Sequence, residues 1–315
     1  MKQILKIIGA LVIFAAVIVA FPLFLRQGSQ GSGKFTIIAT NFPAYDFARA
    51  VSKDVENTEI KMLVNPGAET HSFEPTPEDI KDIKESKLFI YTGGESDKWI
   101  EGLLKDINPE KTKVVKMFDA AKLLEEETIE GMEGEEEEEK EYDEHIWTSL
   151  KNATKIVTKI KDELTKADTK NSDKYEKNAA SYIDGLNVLD QEIAKIVKTA
   201  KRKELIFGDR FPLRYFVEDY DLKYYAAFPG CSDQTEASSK TIAFLIDKIK
   251  SDNIPAVLKI ELSSGKIADE LARATNATVY EFHSAHNISK DDFERGLTYL
   301  EIMKNNAEIL KKALN

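Results

Sequence analysis

Cysteine is nearly absent from this chain of 315 residues, and its scarcity excludes several kinds of site. The single cysteine, Cys231, rules out an internal disulfide framework and any zinc ribbon built from cysteines. No cysteine lies near the N-terminus, so a lipid-modified N-terminal cysteine is not expected. Cys231 also lacks a sequence cue to an activating partner, and we interpret it as a small loop residue rather than a nucleophile.

Basic stripes are also missing, so the composition does not favour a nucleic-acid partner. The net charge of −11 comes from one place, because residues 125–144 contain thirteen Asp or Glu and one Lys. Residues 123–144 therefore predict a solvated acidic loop with too few apolar side chains to pack. Because this loop directly precedes His145, an alternative is that its field concentrates cations near a metal site.

The usual enzyme signatures do not occur. The chain contains no His-Glu-x-x-His, no Gly-x-Ser-x-Gly, no phosphate-binding loop and no Gly-x-Gly-x-x-Gly. We therefore predict no catalytic residue and expect a protein that is not an enzyme.

The N-terminal residues 1–26 have the pattern of a targeting segment. Lys2 and Lys6 precede nineteen uncharged residues, 7–25, and Arg26 follows them. Such a run is longer than the ~7–15 residues of a usual signal-peptide core and close to the ~20 of a membrane span. The sequence favours an uncleaved anchor, with a cleaved signal as the alternative. Either places the body of the protein outside the cytoplasm, beyond a flexible Gly/Ser/Gln linker at 27–33.

The remaining sequence alternates apolar strand-like runs with amphipathic helices, which predicts an α/β fold with mostly parallel sheets. Apolar residues recur every three or four positions from Tyr175 to Ala200, so one helix longer than ~40 Å is expected there. We predict two lobes, each with a parallel sheet flanked by helices, joined by that long rigid helix. The expected limits are 34–170, 171–202 and 203–315.

Histidine is scarce, and its placement is informative. The four histidines are His71, His145, His283 and His286, and each follows a predicted strand or precedes a predicted helix. In open α/β sheets the loops at the carboxyl ends of strands meet in one crevice. Neutral imidazoles in such loops are common metal ligands, so the pattern indicates a metal site.

Several motifs, in one order along residues 35–312, resemble one known family. The family is that of the zinc-binding members of the solute-binding proteins of ABC-type metal uptake transporters, the ZnuA-like and TroA-like proteins. The matching segments are Gly67 to Ile80, Asp143 to Trp147, Tyr175 to Ala179, Tyr215 to Leu222, Glu261 to Ser264 and Thr298 to Asn305.

The resemblance implies one metal ion in a cleft between two lobes. It carries two ligands over to His71 and His145. The third family ligand is a His or Glu after the strand predicted at 204–207, where this chain has Gly-Asp-Arg-Phe, and we predict that Asp209 replaces it. The fourth, usually an acid near the last strand, falls on His283.

Other side chains compete for these roles. His286 is an alternative to His283, and Glu261 is a further candidate ligand. Three carboxylates are candidates to orient the ligands without binding the metal themselves: Glu74, Asp209 and Glu261. The acidic loop matches the family's charged loop in place and charge but contains no histidine, so we do not expect it to scavenge metal tightly.

Three imidazoles and one carboxylate suit Zn²⁺ better than Mn²⁺, which stays the alternative. The resemblance implies an extracytoplasmic, membrane-tethered, monomeric zinc receptor whose partner is a membrane permease. The alternatives are a secreted zinc hydrolase with an activated water, or a cell-surface adhesin with a structural metal site.

Overall fold

The first half of the protein is a parallel sheet with helices between its strands. The computed structural model describes residues 34–132, 141–230 and 236–315. The strands are parallel and lie in the order β2-β1-β3-β4. Their bounds are β1 Phe35–Ala39, β2 Thr58–Met62, β3 Leu88–Tyr91 and β4 Lys113–Lys116, and the helices are α1 Phe42–Val51, α2 Pro77–Glu85 and α3 Lys98–Leu104.

Local sequence explains where these elements begin and end. Strand β3 is buried along its whole length, as its uninterrupted apolar run Leu-Phe-Ile-Tyr requires. The sequence also predicts a helix that starts at Pro77 after a Thr76 cap. Helix α2 begins there because Thr76 and Asp79 form a reciprocal capping box. This cap also ends the long loop that follows β2, which carries His71.

Two helices follow the first sheet, α4 Leu150–Ala167 and α5 Ser172–Thr199. Helix α5 has 28 residues and is therefore ~42 Å long, which confirms the predicted long helix between the lobes. Its buried side chains keep the predicted spacing and are Tyr175, Ala179, Leu186, Leu189, Ile193 and Val197. Each fully buried aliphatic side chain among them contributes ~1.5–3 kcal/mol to stability.

The second half repeats the arrangement with strand order β6-β5-β7-β8, again parallel. The bounds are β5 Glu204–Phe211, β6 Lys223–Pro229, β7 Ala256–Lys259 and β8 Thr278–Glu281, with helices α6 Arg214–Tyr220, α7 Ser239–Ser251, α8 Lys266–Thr275, α9 Lys290–Glu294 and α10 Tyr299–Ala313.

Two elements differ from the prediction. Strand β5 does not end at Phe207 but continues to Phe211 past an irregularity between Phe207 and Arg210. Gly208 is needed there because a Cβ would lie 2.5 Å from the backbone of Ala268 in α8. Helical periodicity also predicts a C-terminal helix from Phe293 to about Leu314, which the structure divides into α9 and α10. The break contains Gly296 at φ +77°, and Thr298 caps α10.

One apolar cluster continues from the first sheet through α4, α5 and α10 into the second, and Phe35–Asn315 is one compact unit. The lobe limits proposed from sequence stay a prediction. The anchor at 1–26 and the linker at 27–33 lie outside the described residues, as does the middle of the acidic loop. Its described ends pair through Glu125 and Tyr142. Within the described ranges, no helix combines the length and apolar character needed to cross a membrane.

Candidate metal centre

His71 lies in the loop between β2 and α2. Its Nδ1 is 3.1 Å from Ser96 Oγ and 3.8 Å from Glu144 Oε2. Burial and the nearby ring of His145 lower the pKa of His71 to about 4. The ring is therefore neutral near pH 7, and with Nδ1 engaged its Nε2 remains to bind a metal.

His145 is completely buried at the start of the short 3₁₀ turn Ile146–Thr148. Asp143 Oδ1 accepts a hydrogen bond from the His145 backbone N–H at 2.8 Å and lies 3.2 Å from its Nδ1. Burial lowers the pKa of His145, but the charge and hydrogen bond of Asp143 outweigh it and raise the pKa. The second ring nitrogen, Nε2, is buried without a hydrogen-bond partner. Such a nitrogen is costly unless a metal or a water satisfies it.

His286 lies in the loop after β8, in the other lobe. Its Nδ1 is 3.1 Å from Thr70 Oγ1, which belongs to the His71 loop. Burial and the charges of His71 and His145 hold the pKa of His286 well below its usual value. All of these contacts favour a neutral imidazole with one nitrogen free.

The three rings converge on one point. Their centroids are 5.6 Å apart for His71 and His145, 4.8 Å for His71 and His286, and 4.9 Å for His145 and His286. One nitrogen from each lies within 4.8 Å of the other two. Zn²⁺ binds imidazole nitrogens at ~2.0–2.1 Å, so a small contraction of this trio would accommodate it. The orphaned Nε2 of His145 fits the same interpretation.

The other predicted ligands lie outside the trio. His283 Nδ1 accepts a hydrogen bond from the Ala285 N–H at 2.9 Å and is 3.4 Å from Glu261 Oε2. Asn306 holds the backbone of His283 at both its N–H and its C=O. His283, at the end of the strand, is thus fixed within its own lobe. His286, three positions later, reaches the cleft. Between them Ala285 adopts φ +60°, the left-handed turn that redirects the chain.

Asp209, predicted as the third ligand, faces the backbone of its own lobe. Its carboxylate accepts hydrogen bonds from the N–H groups of Arg210 at 2.9 Å and Ile260 at 3.4 Å, and burial raises its pKa. The extension of β5 explains this placement, since Asp209 lies within a strand and not in a loop after it. Glu74, proposed to orient a ligand, is exposed.

Glu261 hydrogen-bonds the loop that carries His286, and its predicted role in orienting a ligand stays a prediction. It accepts hydrogen bonds from the Ser284 N–H at 2.7 Å, from Ser284 Oγ at 2.5 Å and from the His286 N–H at 3.2 Å. These bonds shape the loop that presents His286. The carboxylate also lines the cleft, where it is a candidate to approach a bound ion.

Asp143 stands in a matching motif, but the sequence predicts no role for Asp143 or Glu144, which are counted within the acidic run. Glu144 Oε1 accepts a hydrogen bond from the Ser96 N–H at 2.7 Å. This approach requires Gly94, because a Cβ there would lie 2.3 Å from the same oxygen. The spacing of Asp143 two residues before His145 was the available signal.

A cavity of about 190 Å³ opens beside the trio, between the loops of the two lobes. Arg210 and Glu69 line it and form an ion pair, with Arg210 Nη2 3.2 Å from Glu69 Oε2. Asp209, the expected third ligand, is therefore followed by Arg210, whose cationic side chain bridges the lobes. Among the described residues, the only group of three or more metal-ligating side chains that converges is the histidine trio.

Comparison with known proteins gives the chain's family. Residues 37–313 match the family model ZnuA, zinc-uptake complex component A, periplasmic. The high-affinity zinc uptake system protein ZnuA of Bacillus subtilis (strain 168) is 31% identical over 293 residues, covering 91% of each chain. The zinc-binding lipoprotein AdcA of Streptococcus pneumoniae TIGR4 is 29% identical over 303 residues. The match covers 95% of this chain and 60% of AdcA, so the chain spans little more than half the length of that relative.

Solved structures share the fold. The Zn(II)-bound ZnuA-like domain of Streptococcus pneumoniae AdcA superposes with a TM-score of 0.74 at 27% identity, covering 90% of this chain and 99% of that domain. The metal-dependent lipoprotein YcdH of Bacillus subtilis gives 0.76 at 29% identity, covering 90% of this chain and all of YcdH. The predicted two-lobe α/β architecture is confirmed.

Proposed function

The chain belongs to the ZnuA family, and from this premise we propose that it captures Zn²⁺ between its lobes as the extracytoplasmic receptor of a metal-uptake system. The observation that carries the proposal is the convergence of three buried or half-buried imidazoles from both lobes. The relatives named above are zinc-binding or zinc-uptake proteins by their own descriptions. The role is that of a binding protein, in line with the family, and not of an enzyme.

We assign the metal to His71, His145 and His286. Two of these rings have lowered pKa values and are neutral, so their lone pairs are available near pH 7 without loss of a proton. Asp143 holds the third ring, that of His145, with its Nε2 directed to the metal. Three nitrogen ligands favour Zn²⁺ over Mn²⁺, which prefers oxygen.

The delivery step and the cellular location complete the proposal. A receptor of this family would hand the ion to a membrane permease, and residues 1–26 would tether it at the outer face of the membrane. A monomer would be sufficient to bind the ion, because the two lobes of one chain supply all three histidines.

Alanine substitutions test the ligand assignment directly. We expect His286→Ala, His71→Ala and His145→Ala each to weaken zinc binding by ~100-fold or more, since a ligand is lost from a site of three. His283→Ala is the matched control, because His283 lies on the same loop outside the trio, and it should change the dissociation constant by less than ~3-fold. Titration against a competing zinc chelator measures all four. If His283→Ala weakened binding as much as His286→Ala, the assignment would be wrong.

A further inference from the structure

Asn287 joins the two loops that carry histidines from different lobes. Its Nδ2 donates hydrogen bonds to Asn65 O at 2.9 Å and to Ala68 O at 2.8 Å. The side chain is 3% exposed, so these bonds are shielded from water. The Gly67 N–H adds a third bond across the same boundary, to Ile288 O at 2.8 Å.

The orientation of the Asn287 amide is determined by its surroundings. The Ile288 N–H is 2.9 Å from Oδ1, and two carbonyl oxygens face Nδ2. A reversed amide would place its own oxygen against both carbonyls and leave the N–H without its acceptor. Only an asparagine presents two donors and one acceptor in this arrangement.

The loops so joined are those of His71 and His286. Ala68 lies three residues before His71 in the loop after β2, and Asn287 directly follows His286 in the loop after β8. From its other side, the His286 loop is held by Trp147, whose Nε1 donates to Ser284 O at 2.9 Å. The loop is therefore fixed against first-lobe residues on two sides.

We propose that Asn287 is a positioning residue that assembles the metal centre before the ion arrives. It keeps the His71 and His286 rings at their 4.8 Å separation across the boundary between the lobes. The ion would then meet two ligand loops that are already joined, and only the small contraction of the trio would remain. This inference rests on the proposed function for its metal, while the loop coupling itself can be measured on metal-free protein.

Other contacts across the cleft are less suited to this role. The Glu69–Arg210 ion pair involves a carboxylate that is 45% exposed, so solvent and salt screen it. The Thr70–His286 contact involves Nδ1 of the His286 ring, and we assign the metal to the other nitrogen. The position of this ring depends in turn on the loop that Asn287 holds. Asn287 is the buried element that determines how the two loops meet.

The test compares Asn287→Asp with Asn287→Ala. The first keeps the shape, removes the two donors and places a carboxylate against two carbonyl oxygens. The second removes the amide without adding charge, and serves if the first fails to fold. Asn178→Asp is the matched control, because Asn178 Nδ2 also donates to two backbone carbonyls, Val51 O at 3.0 Å and Lys53 O at 2.7 Å, outside both histidine loops.

Two readouts separate positioning from general stability. In metal-free protein, hydrogen exchange of the 65–68 segment, which includes the Gly67 N–H, should accelerate by about tenfold or more in either Asn287 variant and stay unchanged in Asn178→Asp. Zinc affinity, measured by chelator competition, should fall by about tenfold or more in the Asn287 variants, mainly through faster dissociation.

Unchanged exchange at 65–68 in both Asn287 variants would overturn the proposal, and so would faster exchange with parental zinc affinity. A parent protein that bound no zinc would refute the proposed function instead. The exchange experiment would then still decide whether Asn287 couples the loops.

Discussion

Acidification from about pH 7.5 to about pH 5 is expected to weaken zinc binding by the amount that protonation of one imidazole costs. His71 has a pKa of about 4 and the pKa of His286 is held well below its usual value, so neither ring is the main site of protonation over this range. The pKa of His145 is raised above 6.5, so His145 becomes protonated in the metal-free protein as the pH falls. Zinc competes with that one proton.

The expected magnitude follows from the count of protons. One proton costs at most tenfold in affinity per pH unit, so the loss should be between ~30-fold and ~300-fold over this interval. Three imidazoles with ordinary pKa values would lose more than ~10⁴-fold over the same interval. The two cases differ by about two orders of magnitude, which a titration resolves.

Calorimetry in buffers of different ionisation enthalpy gives the number of protons released on zinc binding. We expect about one near pH 5.5. Asp143→Asn is the informative comparison, because loss of the carboxylate that raises the pKa of His145 should reduce this proton release. Release of nearly three protons by the parent protein would refute the assignment of two neutral, desolvated rings.

Three substitutions follow from the same geometry. Asp143→Asn should weaken zinc binding by ~10–100-fold in a chelator competition at neutral pH, because the amide no longer fixes the ring of His145, and parental affinity would contradict this. Gly94→Ala should lower the free energy of unfolding by ~1–3 kcal/mol in urea, because its Cβ would lie 2.3 Å from the carboxylate of Glu144. Gly208→Ala should destabilise by a similar ~1–3 kcal/mol while zinc affinity holds, because the clash is with the backbone of α8 and not with the metal centre. An unchanged urea midpoint in either glycine variant would show that the close approaches relax freely.

The fold was largely predictable because its signals are local. The helical stripe of α5 and the Thr76 cap of α2 are properties of neighbouring residues, and the sequence predicts both. The end of β5 was missed because its last residues are held by pairing with β6 and by close packing on α8, which no local pattern reports. The break before α10 had a local signal in Gly296 and Thr298, but helical periodicity on both sides concealed it.

The candidate site divides in the same way. His71 and His145 lie in loops that can be recognised in the sequence by their motifs and by the strand or helix beside them. The structure brings their rings together. The choice between His283 and His286 depends on which of two nearby loop positions points to the other lobe. The direction of this loop depends on the bond of Asn306 to the His283 backbone, the left-handed turn at Ala285 and the bonds of Glu261. These residues belong to three separate segments.

By itself the sequence determined the alternation of strands and helices, the long connecting helix and the supply of imidazoles at strand exits, because hydrophobic periodicity and turn residues act over a few positions. Only the tertiary structure decided that His286 converges with His71 and His145, that Asp209 faces its own backbone and that Asn287 joins the loops of His71 and His286. Each of these is a contact between residues remote in the chain, and its geometry is set by packing and hydrogen bonds that exist only once both lobes have formed.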